Sequence, residues 1–401
     1  MSLAQLLARK QLVILGLNSG TSADGLDLAV LRISSQAGNA VKFLAGRSIK
    51  YPTTLREAIL NMSDAKTVEL NHLIYLDNIL GKFYGTAAAR FLTILAQRGI
   101  TVDAIASHGQ TVRHLPAKTM FLGHLVHGTL QIGSPEMIAT LTGKPVVGDF
   151  RQADVALGNE GAPITVAAMA RMFGHPTKPR LIVNIGGMAN YFYFPAGLPG
   201  STIRAADTGP GNVISDLLCR TLYSEQCDRN GIHASRGMVS RALLRFAMSR
   251  RFSGGRTKST GRERYGAIMA DELITRGRPL RLTKDDIIAT GLEITVQGLR
   301  RHLLPLLRRN SEIDKLYLTG GGLHNSFLVD RLRQALAPCK VAGIADLGFD
   351  PDLVEASAYA VMGHACLRSM SLPTRFDRQP STGIQPVSGR IVQPPHRLRQ
   401  G

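Results

Sequence analysis

The sequence predicts an α/β protein of two domains, and three observations carry that reading. Strand-like and helix-like segments alternate along most of the chain. One pattern, three consecutive strands followed by alternating helices and strands, occurs twice. A chain of 401 residues with 44% hydrophobic content is also long enough to fill two separate cores.

Taken in order, residues 11–17 (QLVILGL) form a near-continuous apolar run, as expected of a strand buried on both faces. The polar turn 18–25 follows, then strands over 26–33 and 41–49. Helical spacing covers 54–62 and 70–97. A short strand is expected at 103–107, ending at His108-Gly109-Gln110-Thr111, with further strands at 129–132 and 145–149 around a helix over 135–142. An apolar helix over 164–173 links the two halves. The second half opens with strands at 180–185, 188–194 and 202–206, and a helix begins at Val213. A strand over 316–319 runs into Gly320-Gly321-Gly322, a helix follows over 323–336, then a strand at 340–342 and a last helix over 353–366. Beyond about Leu372 the Pro-, Gln-, Ser- and Arg-rich tail reads as disordered or as ordered only on contact.

Composition narrows the function classes. No apolar run is long enough for a membrane span, and the N-terminus lacks a separate cleavage region, so a soluble cytoplasmic protein is expected. Cys219, Cys227, Cys339 and Cys366 have no CxxC spacing and read as free thiols rather than zinc ligands. The formal charge of +19 gathers in 245–264, 299–310 and 375–399. Such an excess draws polyanions in general. Against nucleic acid as the main partner stand 5% aromatic content, no Trp and no recognisable recognition motif.

Four glycine-rich turns fall at predicted strand ends: 20–25, 186–190, 207–212 and 320–325. One such turn says little, because tight turns need glycine whatever they do. Four of them, with Ser, Thr, Asp and Asn interleaved, suit backbone that must approach a polyphosphate at the strand ends of an open sheet. The chemistry falls most naturally on Ala206-Asp207-Thr208-Gly209-Pro210-Gly211-Asn212. A carboxylate there precedes a Gly/Pro turn and a helix N-terminus, which favours anions; the alternative is an Asp that simply caps the helix. Asp24 is likewise either a turn residue bonding its own backbone or a phosphate-loop carboxylate. Arg151 and Asp154 are either an ion pair or a ligand-binding pair.

Ten stretches, in order, carry a more specific resemblance: 19–30 (SGTSADGLDLAV), 107–114 (SHGQTVRH), 146–158 (VVGDFRQADVALG), 161–163 (GAP), 184–191 (NIGGMANY), 206–212 (ADTGPGN), 228–237 (DRNGIHASRG), 258–263 (KSTGRE), 319–325 (TGGGLHN) and 348–360 (GFDPDLVEASAYA). On them the chain resembles the anhydro-N-acetylmuramic acid kinases of the actin- and hexokinase-like superfamily. The resemblance implies two actin/ribonuclease H-like domains with a nucleotide and sugar cleft between them. The first covers 10–165, with the helix 353–370 packing back on it; the second covers 166–352; a basic tail, 371–401, follows.

The resemblance also implies an ATP-dependent kinase that opens a 1,6-anhydro bridge with water and phosphorylates O6 in peptidoglycan recycling. Asp207 takes the place of the general base. Gly20, Thr21, Ser22, Asp24 and Gly25 form the phosphate loop, with Asp24 holding Mg2+ through water. Gly209, Asn212, Gly320, Gly321, Gly322 and Asn325 stand on the nucleotide side. His108, Gln110, Arg151 and Asp154 stand on the sugar side, although a lone His is often a structural residue. Lys258 and Arg262 match 258–263 with no role assigned. A homodimer and an anhydrosugar partner are implied, with no membrane. The stretch 159–169 (NEGAPITVAAM) and the proline-free 253–257 depart from the family pattern. An anhydroglucose such as levoglucosan is therefore the alternative substrate, and a silent sugar or nucleotide sensor the alternative class.

Overall fold

The computed structural model describes residues 3–34, 41–197, 203–249, 266–372 and 386–395. Two compact units emerge: Met1–Phe173 with Leu353–Gly401, and Gly174–Asp352.

In the first unit, β1 (Gln11–Ser19), β2 (Gly25–Ser34) and β3 (Val41–Lys50) form an antiparallel meander. Next come α2 (Thr53–Asp64) and α3 (Leu70–Gln97), after the short N-terminal α1 (Leu3–Leu7). The strand β4 (Ala104–Phe121) pairs in parallel with β1 and folds back on β5 (His124–Ile132). Beyond α4 (Pro135–Thr142), β6 (Val146–Gly148) lies parallel to β4. Two short helices, α5 (Gln152–Ala156) and α6 (Val166–Phe173), complete the first segment.

The second unit repeats the plan. The strands β7 (Arg180–Ile185), β8 (Met188–Phe194) and β9 (Arg204–Pro210) are antiparallel; β10 (Lys315–Thr319) and then β11 (Lys340–Gly343) add in parallel beyond β7. Its helices are α7 (Val213–Tyr223), α8 (Ile232–Arg236), α9 (Arg241–Ser249), α10 (Ala267–Gly277), α11 (Lys284–Arg309) and α12 (Ser326–Leu336). The first sheet runs β3-β2-β1-β4-β6 and then β12 (Arg390–Val392), with β5 paired to β4 off that path. The second runs β9-β8-β7-β10-β11, so from the third strand of each meander inward both follow one order. That shared order is the actin/ribonuclease H-like sheet, so the expected fold class holds in both halves.

The chain returns to the first unit through α13 (Val354–Leu367), whose residues are buried apart from Glu355. Small side chains allow this. Alanines at 356, 358, 360 and 365 and Gly363 bring the helix close against the sheet, as interior packing density requires. The last described strand, β12 (Arg390–Val392), pairs antiparallel with β6.

Several expectations change. The strand expected to stop at Ser107 continues as β4 to Phe121, because hairpin pairing with β5 extends it. His108 and Gln110 therefore lie inside a strand, not at its end. The third strand of the second half runs Arg204–Pro210, so Asp207 sits within it rather than after it. The helix expected from Leu323 begins at Ser326, preceded by a 3-10 turn over Gly321–His324. The tail is not wholly without structure, since β12 lies in it. Residues 201–202 and 258–263, with Lys258 and Arg262, lie outside the described residues.

Candidate active site

The first unit contributes the turn between β1 and β2. Ser19 ends β1 and is paired in register with Gln110 of β4. The Ser19 hydroxyl donates to Gln110 Oε1 at 2.6 Å, and Gln110 Nε2 donates to the carbonyls of Gly20 (3.3 Å) and Thr111 (3.2 Å). Gln110 is 1% exposed. Inside the turn, the Ala23 N–H donates to the Gly20 carbonyl at 3.0 Å, with Ala23 held at φ 49°. Among the described residues, a Cβ on Gly20 would have only Ser22 Oγ within 4 Å, at 3.7 Å. Asp24 is exposed, 3.2 Å from Arg56 Nη2 of α2, whose Nη2 also donates to the Ser22 carbonyl at 3.4 Å. Gly25 is already part of β2, opposite Lys50.

Sequence reasoning missed two neighbours of this turn. Asn18, buried at the end of β1, donates to Glu355 Oε2 at 3.0 Å, which places a carboxylate of α13 near the turn. Tyr51 donates its N–H to the Asp24 carbonyl at 3.2 Å, and its hydroxyl lies 2.6 Å from that of buried Tyr84. The signal for Glu355 was its place in 348–360; nothing local marks Tyr51.

His108 and Arg151 come together in the same unit. Arg151 Nε donates to His108 Nε2 at 2.9 Å, and Nη1 donates to the Gly161 carbonyl at 2.8 Å. Because Arg151 always donates, His108 Nε2 must accept, and the neutral ring carries its proton on Nδ1. Burial, and then the Arg151 charge, hold the His108 pKa well below its ordinary value. The ring stacks on Tyr359 at 4.5 Å. Asp154, 2% exposed, accepts from Asn159 Nδ2 at 3.1 Å and from the Gly161 N–H at 2.8 Å, so it ties together the loop that holds Arg151.

The second unit brings its glycine turns together. Asn212 N–H donates to the Gly186 carbonyl at 2.8 Å, and Gly211 N–H to the Gly187 carbonyl at 2.9 Å. A Cβ on Gly211 would meet the Gly186 oxygen at 2.2 Å, so this approach admits no side chain. Gly320, at φ 81°, lies against Asn184 and Ile185, and Gly321 faces Asn212 Nδ2. Asn325 is buried and caps α12, accepting from the Leu328 N–H at 3.0 Å. Its side chain also donates to the Asp228 carbonyl at 3.4 Å, so the 228–237 segment braces this turn.

Asp207 is exposed on β9 opposite Asn190. The register slips there: Ala189 pairs with Gly209, so Thr208 is the extra residue of a β-bulge. Bulges re-aim the side chains beside them. Thr208 Oγ1 donates to the Ala189 carbonyl at 3.0 Å, while among the described residues nothing lies within 4 Å of where a Gly209 Cβ would be. The N-cap of α7 is Asn212, so Asp207 does not cap that helix.

Among the described residues no three His, Cys, Asp or Glu side chains cluster as a metal site, and no helix is long and apolar enough to cross a membrane. Cys219, Cys227, Cys339 and Cys366 are free thiols.

The profile of the family described as anhydro-N-acetylmuramic acid kinase matches residues 12–385. A protein of that name from Salinibacter ruber is 35% identical over 90% of this chain and 92% of its own length. One from Thiobacillus denitrificans is 37% identical over 86% and 88%. Component A of (R)-2-hydroxyglutaryl-CoA dehydratase from Acidaminococcus fermentans is a solved structure 10% identical to this chain. That alignment has a TM-score of 0.41 and covers 89% of this chain and 99% of the other.

Proposed function

We propose that this chain, a kinase that belongs to the anhydro-N-acetylmuramic acid kinase family, transfers the γ-phosphoryl group of ATP to O6 of a 1,6-anhydro sugar as water opens the bridge. The observation that carries the reading is the family match across residues 12–385, with relatives of that name aligned over nearly their whole length.

In this reading Asp207 is the general base. Water attacks the anomeric carbon, its proton passes to the Asp207 carboxylate, and the bond from that carbon to O6 breaks. O6 then attacks the γ-phosphorus and ADP leaves. A base within hydrogen-bond reach contributes roughly 10²–10⁴ in rate. The exposed Asp207 beside the Thr208 bulge suits that task, because it stands on a strand. Phosphoryl transfer needs positioning and charge neutralisation more than covalent help. Backbone N–H groups of the 20–24 turn would supply the first.

Mg2+ would supply the second by neutralising phosphate charge. Asp24 and Glu355, both in the first unit, would be the carboxylates to hold it, since Mg2+ takes one or two carboxylates and otherwise water and phosphate oxygens. Arg151, held by His108 and the Gly161 carbonyl, suits the lactyl carboxylate of a muramic sugar. The product would be N-acetylmuramic acid 6-phosphate, formed in peptidoglycan recycling in the cytoplasm by a homodimer.

Turnover in ¹⁸O-labelled water tests the ring-opening step. Label at the anomeric carbon of a 6-phosphorylated product is expected; an unlabelled product would sink the reading. Levoglucosan is the second substrate to compare. Arg151→Met is expected to raise KM for the muramic sugar about tenfold or more and leave levoglucosan unaffected, since only the former offers a carboxylate.

A further inference from the structure

A buried chain of hydrogen bonds runs beneath the phosphate turn. The hydroxyls of Tyr51 and Tyr84 lie 2.6 Å apart, with Ser19 beside them. The Ser19 hydroxyl donates to Gln110, and Gln110 donates to the Gly20 carbonyl. The orientation of the Gln110 amide is set by its partners: reversing it would point its oxygen at two carbonyls. Both N–H donors and the carbonyl of this side chain are thus engaged within the protein. At 1% exposure it presents no surface to a ligand. Burial pushes the Tyr51 phenol up to about 12, so this hydroxyl keeps its proton and remains a donor at neutral pH.

The end of the chain matters most. The Gly20 carbonyl accepts from Gln110 and from the Ala23 N–H, both on the protein side of the turn. The Gly20–Thr21 peptide is not among the cis bonds, and in a trans peptide the N–H points opposite to the C=O. Pinning that carbonyl inward therefore turns the Thr21 N–H outward. The turn needs holding, because Ala23 at φ 49° is in a region that a non-glycine residue keeps only when its surroundings impose it.

We propose that Gln110 is a positioning residue for the phosphate turn, fixing the Gly20–Thr21 peptide so that the Thr21 N–H faces the nucleotide's phosphates, and is not a contact to the sugar. This rests on the turn being the phosphate site. Losing the Gln110 donor frees the peptide to flip, which presents a carbonyl where an anion should sit.

The test is steady-state kinetics of the full chain with ATP and the anhydrosugar. Gln110→Met, similar in size but without the hydrogen bonds, is expected to raise KM for ATP about tenfold and to leave the sugar KM within about twofold. Adenosine, lacking phosphates, should bind the variant as it binds wild type. Gln110→Glu can donate to the Gly20 carbonyl only when protonated, so its kcat/KM for ATP should climb towards wild type as pH falls, while the Met variant's profile parallels wild type. Ser19→Ala breaks the preceding link and should give the same split in milder form. It decides the matter if the Met variant does not fold.

A rise in sugar KM with ATP KM unchanged would overturn the proposal. Gly20→Val separates the two ideas, since a Cβ there meets nothing nearer than 3.7 Å. If it raises KM for ATP while Gln110→Met does not, the phosphate turn stands and the role of Gln110 falls. If neither variant changes KM for ATP, both fall.

Discussion

Asp207 and Asn325 carry opposite expectations on substitution. Asn325 caps α12, so Asn325→Ala should cost about 1 kcal/mol of stability, read from the denaturant midpoint. Asp207 is exposed on β9, and Asp207→Asn keeps the side chain's shape while removing its charge, so it should move that midpoint less than Asn325→Ala does. His364 gives a pH prediction. Burial first, then the charges of Arg171 and Arg368, lower its pKa to about 3. The unfolded chain takes up that proton near the ordinary value of about 6.5, so the folded state loses stability as pH falls from there towards about 3. His364→Gln should flatten the slope of the melting temperature over that window; an unchanged slope would assign it to other groups. At this scale residue types were legible and their partners were not. The Ser19–Gln110 bond joins positions 91 apart, and no local pattern announces that Gln110 faces inward.

Among the elements, the apolar runs and helical periods announced themselves, because β1 and α3 are each dominated by one burial pattern. Ends were harder to read. The strand β4 continues through residues 113–121 because β5 pairs with Arg113, His114, Leu115, Thr119, Met120 and Phe121, a tertiary fact absent from the local sequence. The bulge at Thr208 and the cap at Asn325 moved two further boundaries for the same reason. The β7–β8 turn and the start of α7 act as one element through Gly211. Gly211→Ala, which would set a Cβ 2.2 Å from the Gly186 oxygen, should destabilise by about 2–3 kcal/mol. Calorimetry showing a wild-type melting temperature would mean that the two turns separate freely.

For the whole molecule, each unit has its own sheet and its own buried cluster, of which the second lies wholly within Gly174–Asp352. Residues 174–352 expressed alone should therefore melt cooperatively; a fragment without a thermal transition would refute this. The repeated plan was legible because the strand pattern recurs in the sequence. The return of α13 to the first sheet was expected only through the family resemblance, since no local signal tells a helix which sheet it covers. The central claim is catalysis by Asp207 on an anhydrosugar. The measurement that tests it most directly is ADP release from ATP and Mg2+ with anhydro-N-acetylmuramic acid, with levoglucosan or with no sugar, for wild type and Asp207→Asn. The account predicts sugar-dependent release with the muramic substrate, reduced at least about 10²-fold in the variant. Sugar-independent release, or a variant as fast as wild type, would contradict it.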